Sequence, residues 1–154
     1  MTTPPVARIG VLSDSHGYPD DWVFAALRSC THIIHAGDVQ SDRLIAALQR
    51  MAHLTWVDGN MDGYRPTRTT ALTTIAGFSF FVLHDLERLD LDPAAAQVHA
   101  VIHGHTHRPD ITWRRGVLYL NPGSVSYPRM GKVPSLATID IAQDALQPQI
   151  VYRP

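Results

Sequence analysis

The chain has 154 residues, of which 45% are hydrophobic and 18% charged, without repeats or low-complexity tracts, and this predicts one globular domain, residues 1–154, with a sizeable core. The formal net charge of −1 gives no overall positive charge to hold nucleic acid. The single cysteine, Cys30, excludes an intrachain disulfide. No apolar run approaches the roughly 20 residues that span a bilayer, and the first residues lack a secretory signal, so we expect a cytoplasmic protein.

The first half of the chain alternates short apolar runs with amphipathic segments. Apolar residues at 7–12, 32–36 and 54–57 predict three strands. Between them, apolar residues at helical spacing predict a helix around 22–27 and a second helix that Ser41 caps. This order favours right-handed crossovers and a parallel sheet, in which ligands bind beyond the carboxyl ends of the strands.

The second half is rich in predicted strands. Apolar runs lie at 70–75, 78–83, 100–102, 111–113, 117–120, 136–141 and 149–151. Gly77 and Arg115-Gly116 are typical of tight hairpin turns, and segment 93–98 predicts one more short helix. Together the two halves favour two facing sheets flanked by helices.

Polar residues follow several of the predicted strands. They form five blocks: Asp14-Ser15-His16, Gly37-Asp38, Gly59-Asn60-Met61-Asp62, His84 and Gly104-His105-Thr106-His107. Oxygen and imidazole ligands without thiolate suit manganese, iron, zinc or nickel better than copper(I) or an iron–sulfur cluster. Residues two apart in an extended segment point the same way, so the D-x-H and H-x-H pairs can each present two ligands to one place. The isolated Asp38 is the candidate for a carboxylate that bridges two cations.

These five blocks, in this order, resemble the motifs of the calcineurin-like metallophosphoesterases. The short length and the segment Asn121-Pro122-Gly123-Ser124-Val125 resemble the small prokaryotic YfcE-like phosphodiesterase branch of that family. The resemblance covers about residues 7–151. It implies an α/β fold, a four-layer αββα sandwich with two mostly mixed β-sheets flanked by helices, with the metal site at the sheet edges.

The resemblance also implies seven ligands for two divalent cations, manganese before zinc, iron or nickel. One cation would take Asp14, His16, Asp38 and His107, and the other Asp38, Asn60, His84 and His105. The implied activity is hydrolysis of a phosphodiester by a hydroxide that bridges the cations, with Asp38, Asn60 and Asp62 as catalytic residues. The implied partner is a small phosphate ester. Whether the chain forms a homo-oligomer is left open by the sequence.

Two positions depart from the family pattern. Asp85 follows His84 where this branch usually has glycine, and it could clash or could accept a hydrogen bond from an imidazole. Met61 stands where many relatives carry a histidine that protonates the leaving group. We therefore expect activated phosphodiesters to be favoured, with water or Asp62 as the remaining proton sources.

Residues outside these blocks carry weaker signals. Five histidines are predicted to have packing or surface roles: His32, His35, His53, His99 and His103. Residues 121–124 could form a plain turn or could support the metal site, and Arg129 could contact a substrate phosphate or solvent alone.

Two other functions stay open at this stage. The same fold serves as a non-catalytic scaffold subunit of the retromer complex, although that scaffold has lost a ligand histidine. Alternatively, the same metal site could act on phosphomonoesters, nucleotides or the ends of nucleic acids. Turnover with added manganese separates the scaffold from the enzyme, and paired monoester and diester substrates separate the enzymes.

Overall fold

A computed structural model describes residues 3–63 and 68–154. The first sheet contains β1 (Ala7–Leu12), β2 (His32–His35), β3 (His53–Trp56), β9 (Ser135–Ala142) and β10 (Ala145–Tyr152), in the order β10-β9-β1-β2-β3. The neighbours β1, β2 and β3 run parallel, as the βαβαβ pattern predicts, whereas β9 is antiparallel to β1.

The second sheet is also mixed and has five strands. It contains β4 (Thr70–Ile75), β5 (Phe78–Leu83), β6 (Ala100–Ile102), β7 (Asp110–Arg114) and β8 (Val117–Asn121), in the order β4-β5-β6-β8-β7. The central strands β5, β6 and β8 run parallel, and the outer strands join them through antiparallel hairpins. Both hairpin turns lie where glycine predicted them, at Gly77 and Gly116.

Two helices cover the outer face of the first sheet. They are α1 (Asp21–Leu27) and α2 (Asp42–Met51), and the Ser41 hydroxyl caps α2 by accepting a hydrogen bond of 3.0 Å from the Leu44 amide. Their buried residues Leu27, Leu44 and Leu48 pack against apolar side chains of the sheet. Among the described residues, no helix is long and apolar enough to cross a membrane.

The inner faces of the two sheets form the main core. It contains fully buried residues from both sheets, among them Ile9, Val11, Phe80, Ile102 and Leu120. The outer face of the second sheet is covered by a 3-10 helix (Leu86–Arg88) and the chain that follows it. The molecule is thus a mixed α/β sandwich of the predicted class, whose fourth layer is thin.

The helix predicted at 93–98 is wrong, because the structure has a hydrogen-bonded turn there. The Ala96 amide donates to the carbonyl of Asp92 at 2.9 Å, and the Val98 amide donates to that of Pro93 at 2.9 Å. Gln97 then takes a positive φ of 59°, which ends the turn before a helix can propagate.

The topology brings many strand ends to one region. The predicted polar blocks follow β1, β2 and β3 in the first sheet and β5 and β6 in the second. Parallel neighbours end at the same edge of a sheet, so each sheet presents its blocks together. The two sets of loops meet at one end of the sandwich.

Replacement of Phe80 by alanine tests the position of the core. Phe80 is 0% exposed between the sheets, so Phe80→Ala should cost about 3–5 kcal/mol of unfolding free energy through the cavity it leaves. Leu72 of β4 is 66% exposed, and Leu72→Ala should cost about 0.5 kcal/mol or less. Urea denaturation measures both, and equal losses would contradict this assignment of the core.

Candidate metal centre

Two aspartates form the buried floor of the site. Asp14 follows β1 and is 0% exposed, and Asp38 follows β2 and is 2% exposed. One oxygen of each is held by hydrogen bonds: Asp14 Oδ2 accepts from Ser13 Oγ at 2.6 Å, and Asp38 Oδ1 accepts from the Met61 amide at 2.8 Å. Their other oxygens, Asp14 Oδ1 and Asp38 Oδ2, face a group of imidazoles.

Three histidines direct Nε2 toward these free carboxylate oxygens. In each ring Nδ1 contacts an oxygen that can only accept a hydrogen bond. The partners are Gln40 Oε1 for His16 at 2.6 Å, the Ala36 carbonyl for His84 at 2.7 Å and the Tyr127 carbonyl for His107. Nδ1 must therefore carry the proton, and the Nε2 atom of a neutral ring is left with its lone pair.

The distances between these atoms suit ligands that share a cation. His84 Nε2 lies 3.2 Å from Asp38 Oδ2, His107 Nε2 lies 3.3 Å from Asp14 Oδ1, and His16 Nε2 lies 3.7 Å from Asp38 Oδ2. Two ligands about 2.1 Å from one metal ion are roughly 3.0–3.4 Å apart. The ligand atoms form two sets, Asp14 with His16 and His107, and Asp14 with Asp38 and His84, each lying within 4.8 Å of one another.

The arrangement also requires a positive charge. Within the described part of the chain, Asp14 Oδ1 and His84 Nε2 are buried without a hydrogen-bond partner. A lone pair of a neutral imidazole facing a carboxylate oxygen is repulsive unless a proton or a metal ion lies between them. The donor set therefore fits a divalent cation bound by oxygen and imidazole nitrogen.

The same charges shift the pKa values of the site. Burial favours the neutral form of Asp14, but His107 and the Ser13 hydroxyl outweigh it and hold the pKa of Asp14 below its usual range. Burial likewise opposes ionisation of Asp38, and His84 reverses the effect and lowers the pKa of Asp38. The pKa of His84 is raised, because Asp38 and Asp14 overcome the effect of burial. In the absence of a metal ion, a proton supplies the positive charge that the carboxylates attract.

The last two predicted ligands form a neighbouring pair. Asn60 follows β3, His105 follows β6, and Asn60 Oδ1 lies 3.2 Å from His105 Nδ1. Both residues are exposed, and the His105 ring lies 5.2 Å from the His84 ring between centroids. The structure thus brings all seven predicted positions to one end of the sandwich, with five converging and two beside His84.

Unusual backbone conformations concentrate at this site. Among the described residues, eleven other than glycine have positive φ, and six of them are Asp14, His16, Asp38, Gln40, His105 and His107. Such conformations cost of order 1–3 kcal/mol each and persist where the surrounding structure enforces them. The chain accepts this cost at five of the seven predicted ligands.

Two glycines allow the loops to approach these carboxylates. A Cβ added at Gly59 would overlap Asp38 Oδ1 and lie 2.6 Å from the Asp38 amide nitrogen. A Cβ added at Gly104 would overlap the Ser13 hydroxyl and lie 2.6 Å from Asp14 Oδ2. The glycines of the Gly59-Asn60 and Gly104-His105 blocks therefore allow close packing around both aspartates.

Asp62 has a supporting arrangement rather than one suited to proton donation. Its carboxylate accepts hydrogen bonds from the amides of Val39 at 3.1 Å, Gln40 at 2.9 Å and Gly59 at 2.8 Å. These contacts join the loop that carries Asp38 to the loop that carries Asn60. If Asp62 were protonated, its carboxyl proton would face the N–H donors of these same amides.

Several supporting residues were not found by sequence reasoning. The Gln40 side chain and the backbone carbonyls of Ala36 and Tyr127 orient the histidines. Gln40 lies outside the polar blocks, and the two carbonyls carry no signal because any residue supplies one. The segment 121–124 does support the site, since Ser124 Oγ donates to the Asp14 carbonyl at 2.7 Å. The side-chain amide of Asn121 likewise donates to the Gly104 carbonyl at 3.0 Å.

The structure shows where the two residues that depart from the family pattern, Asp85 and Met61, lie. The Asp85 carboxylate accepts a hydrogen bond of 3.1 Å from the Glu87 amide and begins the 3-10 helix, and no hydrogen bond between it and the His84 ring is seen in the described residues. The Met61 side chain is 53% exposed, and its thioether has no proton to donate.

The remaining histidines differ from the converging group. His35 is buried, which lowers its pKa to about 4, and its Nε2 lies 2.9 Å from the Ser15 hydroxyl. His32 and His53 pack edge to face on neighbouring strands, with ring centroids 5.9 Å apart. His103 is buried with both ring nitrogens unpartnered among the described residues, and burial lowers its pKa to about 4. For His103 the structure offers no physical account.

A groove adjoins the His84 side of the site. It encloses about 580 Å³ and is lined by residues that include Asn60, His84, Asp85, Arg88, Asp90 and His105. The Arg88 guanidinium lies 3.8 Å from the Asp85 carboxylate, so its charge is partly compensated. The groove gives solvent and small molecules access to the Asn60–His105 pair.

Solved structures share the complete fold. An archaeal phosphodiesterase is 21% identical with a TM-score of 0.75, over 94% of this chain and 99% of that one. The YfcE phosphoesterase of E. coli is 20% identical with a TM-score of 0.67, over 94% and 98%. Vacuolar protein sorting 29 of Entamoeba histolytica, solved with zinc, is 20% identical with a TM-score of 0.72, over 94% and 98%. At these identities the likeness establishes the fold alone.

The sequence comparisons go further. The model of the calcineurin-like phosphoesterase superfamily domain matches residues 7–144. A probable metallophosphoesterase of Methanothermobacter thermautotrophicus is 32% identical over 93% of this chain and 91% of its own. With the converging carboxylates and imidazoles, these matches place the chain in the calcineurin-like phosphoesterase superfamily, among its metallophosphoesterases.

Proposed function

We propose that the chain is a phosphodiesterase that uses two divalent cations, manganese before zinc, iron or nickel. The observation that carries the proposal is the convergence of three Nε2 lone pairs on the free oxygens of Asp14 and Asp38. This convergence of lone pairs and carboxylate oxygens favours cation binding over a purely structural role, since the groups repel one another without a positive charge between them. The matched phosphodiesterase fold supports the same reaction class.

The ligands are divided between two cation positions. One takes Asp14, His16, Asp38 and His107, and the other takes Asp38, Asn60, His84 and His105. Asp38 would serve both, as the family pattern implies, and its Oδ2 lies 3.7 Å from His16 Nε2 and 3.2 Å from His84 Nε2. Asp14 Oδ1 also lies near both histidines, at 3.9 Å and 3.7 Å. When bound, divalent cations supply a water nucleophile that ionises near neutral pH and neutralise charge on the phosphoryl oxygens.

The chain's own residues hold this chemistry in place, and of the described residues neither Met61 nor Asp62 provides the acid. Met61 cannot protonate a leaving group, and Asp62 is occupied by three amide donors. We therefore assign Asp62 a positioning role instead of the catalytic role that the sequence first indicated. The departing oxygen leaves as an anion or takes its proton from solvent, so esters with good leaving groups are the preferred substrates.

A scaffold function on the same fold is the rival hypothesis. A degraded site would release the strain of its loops, whereas here all seven ligand positions are filled and five are held in positive-φ conformations. Metal-supplemented turnover of a diester and a monoester of p-nitrophenol decides between the two functions and between the two ester classes. No turnover of either ester in manganese, zinc, iron(II) or nickel would reject the enzyme.

Asp38→Asn should reduce diester turnover by about 10²–10³-fold, because it removes charge from both cation positions. Folding should be kept, as the amide fills the same space. His53→Ala is the matched control, since His53 is an exposed residue at the start of β3, and its turnover should stay near that of the parent. Steady-state kinetics with elemental analysis measure both variants, and similar activity losses would refute the assignment of ligands.

Gly59→Ala should weaken manganese binding by about tenfold or more, because the added Cβ displaces Asp38. Gly116→Ala is the control: Gly116 has φ +78° in a hairpin with nothing within 4 Å of the added Cβ. It should cost about 1 kcal/mol of stability and leave metal affinity unchanged. Manganese titrations of both variants test this, and equal affinities would show that close packing at Gly59 does not position Asp38.

The rates for a series of aryl phosphodiesters should fall steeply as the pKa of the leaving phenol rises, because neither Met61 nor Asp62 protonates it. Met61→His should flatten that dependence by supplying an acid. Asp62→Asn should lower all rates by a similar factor and leave the slope unchanged, as a positioning residue would. A shallow slope in the native protein that steepens in Asp62→Asn would instead make Asp62 the acid.

A further inference from the structure

The segment 124–129 closes the His16–His107 side of the site. Ser124 Oγ donates to the Asp14 carbonyl at 2.7 Å and accepts from the Tyr127 amide at 2.8 Å. The backbone carbonyl of Tyr127 in turn accepts a hydrogen bond from His107 Nδ1. The aromatic ring of Tyr127 packs edge to face against the His16 ring, with centroids 5.7 Å apart. The segment is therefore fixed to the same ligands that it covers.

Arg129 ends this segment and reaches back over the ligand loop. Its Nε donates a hydrogen bond of 2.7 Å to the carbonyl of Thr106, the residue between His105 and His107. This bond places the guanidinium beside the ligand loop and restricts its motion. The two Nη groups have no hydrogen-bond or ion-pair partner among the described residues.

The opposite side of the site has a different charge. The groove beside His84 is lined by Asp85 and Asp90, and its Arg88 lies close to Asp85. An anionic group would meet carboxylates there, whereas on the His107 side it meets a guanidinium with free donors. Arginine binds phosphate oxygens through two parallel N–H donors, and such charge-assisted bonds are about twice as strong as neutral ones.

We propose that Arg129 is a substrate-binding residue that contacts an anionic phosphoryl oxygen through its Nη groups. The Thr106 tether holds the guanidinium ready, so little side-chain entropy is lost when the anion binds. This role rests on the proposed phosphoesterase function, and it adds a contact from the protein itself to those that bound cations make. It predicts an effect on phosphate affinity and KM more than on kcat.

The test uses the manganese-loaded protein and inorganic phosphate. Arg129→Ala should weaken phosphate binding by about tenfold, the loss expected for a charge-assisted hydrogen bond, and Arg129→Lys by less. Calorimetric titration measures this affinity without any turnover, and phosphate inhibition of diester hydrolysis measures it again. Manganese affinity should stay unchanged in both variants.

Two control variants separate a specific contact from other effects. Arg108→Ala removes a charge that neighbours His107, and Arg50→Ala removes an exposed charge in the last turn of α2. Both should change phosphate affinity by less than about threefold, the effect of an exposed charge. An equal loss in Arg108→Ala, a parallel loss of manganese affinity in Arg129→Ala, or no loss there would overturn the proposal. Absence of hydrolysis by the parent would refute the phosphoesterase function, and the phosphate titration would still decide the role of Arg129.

Discussion

The structure of the site depends on one electrostatic constraint, the exposure of imidazole lone pairs to carboxylate oxygens in a buried space. Asp14 Oδ1 and His84 Nε2 are both enclosed without hydrogen-bond partners in the described residues. The repulsion between these two atoms is relieved when a proton or a metal ion lies between them. A proton serves in the metal-free protein, which explains the raised pKa values of His84 and His107. A divalent ion replaces that proton with twice the charge.

The fold supports this constraint by fixing the far side of three of the histidine ligands. The protons on Nδ1 of His16, His84 and His107 are each directed to an oxygen acceptor on another loop. Asp62 then fastens the Asp38 loop to the Asn60 loop through the amides of Val39 and Gln40, and it also accepts from Gly59 of its own loop. Most of these supporting bonds link loops from different strands, and the positive-φ backbone of the ligands is held by several neighbours at once.

The sequence predicted those elements and ligands that depend on the type and spacing of side chains. The apolar runs at 7–12, 70–75, 78–83 and 100–102 match β1, β4, β5 and β6 residue for residue. The last hairpin was underestimated, because its turn, Gln143-Asp144, contains no glycine although both residues have positive φ. Pro148 further concealed β10, which tolerates a proline because it is an edge strand. The role of the Ala36 and Tyr127 carbonyls in orienting His84 and His107 could not be predicted, since every residue has a backbone carbonyl.

The described contacts also divide the site into a rigid half and a more open half. Asp14, His16 and His107 are tied to Ser13, Gln40, Ser124 and Tyr127, so each ligand atom has one preferred position. Asn60 and His105 are exposed, and their side chains contact each other at 3.2 Å beside a groove. A cation on the rigid half would meet preorganised ligands, whereas one on the open half would also have to order the exposed side chains of Asn60 and His105. Preorganisation lowers the entropic cost of binding, so the rigid half should be the tighter of the two proposed cation positions. That order of affinities follows from the hydrogen bonds behind the ligands, since His16 and His107 are each oriented through Nδ1 by an acceptor on another loop, whereas the side chains of Asn60 and His105 are exposed.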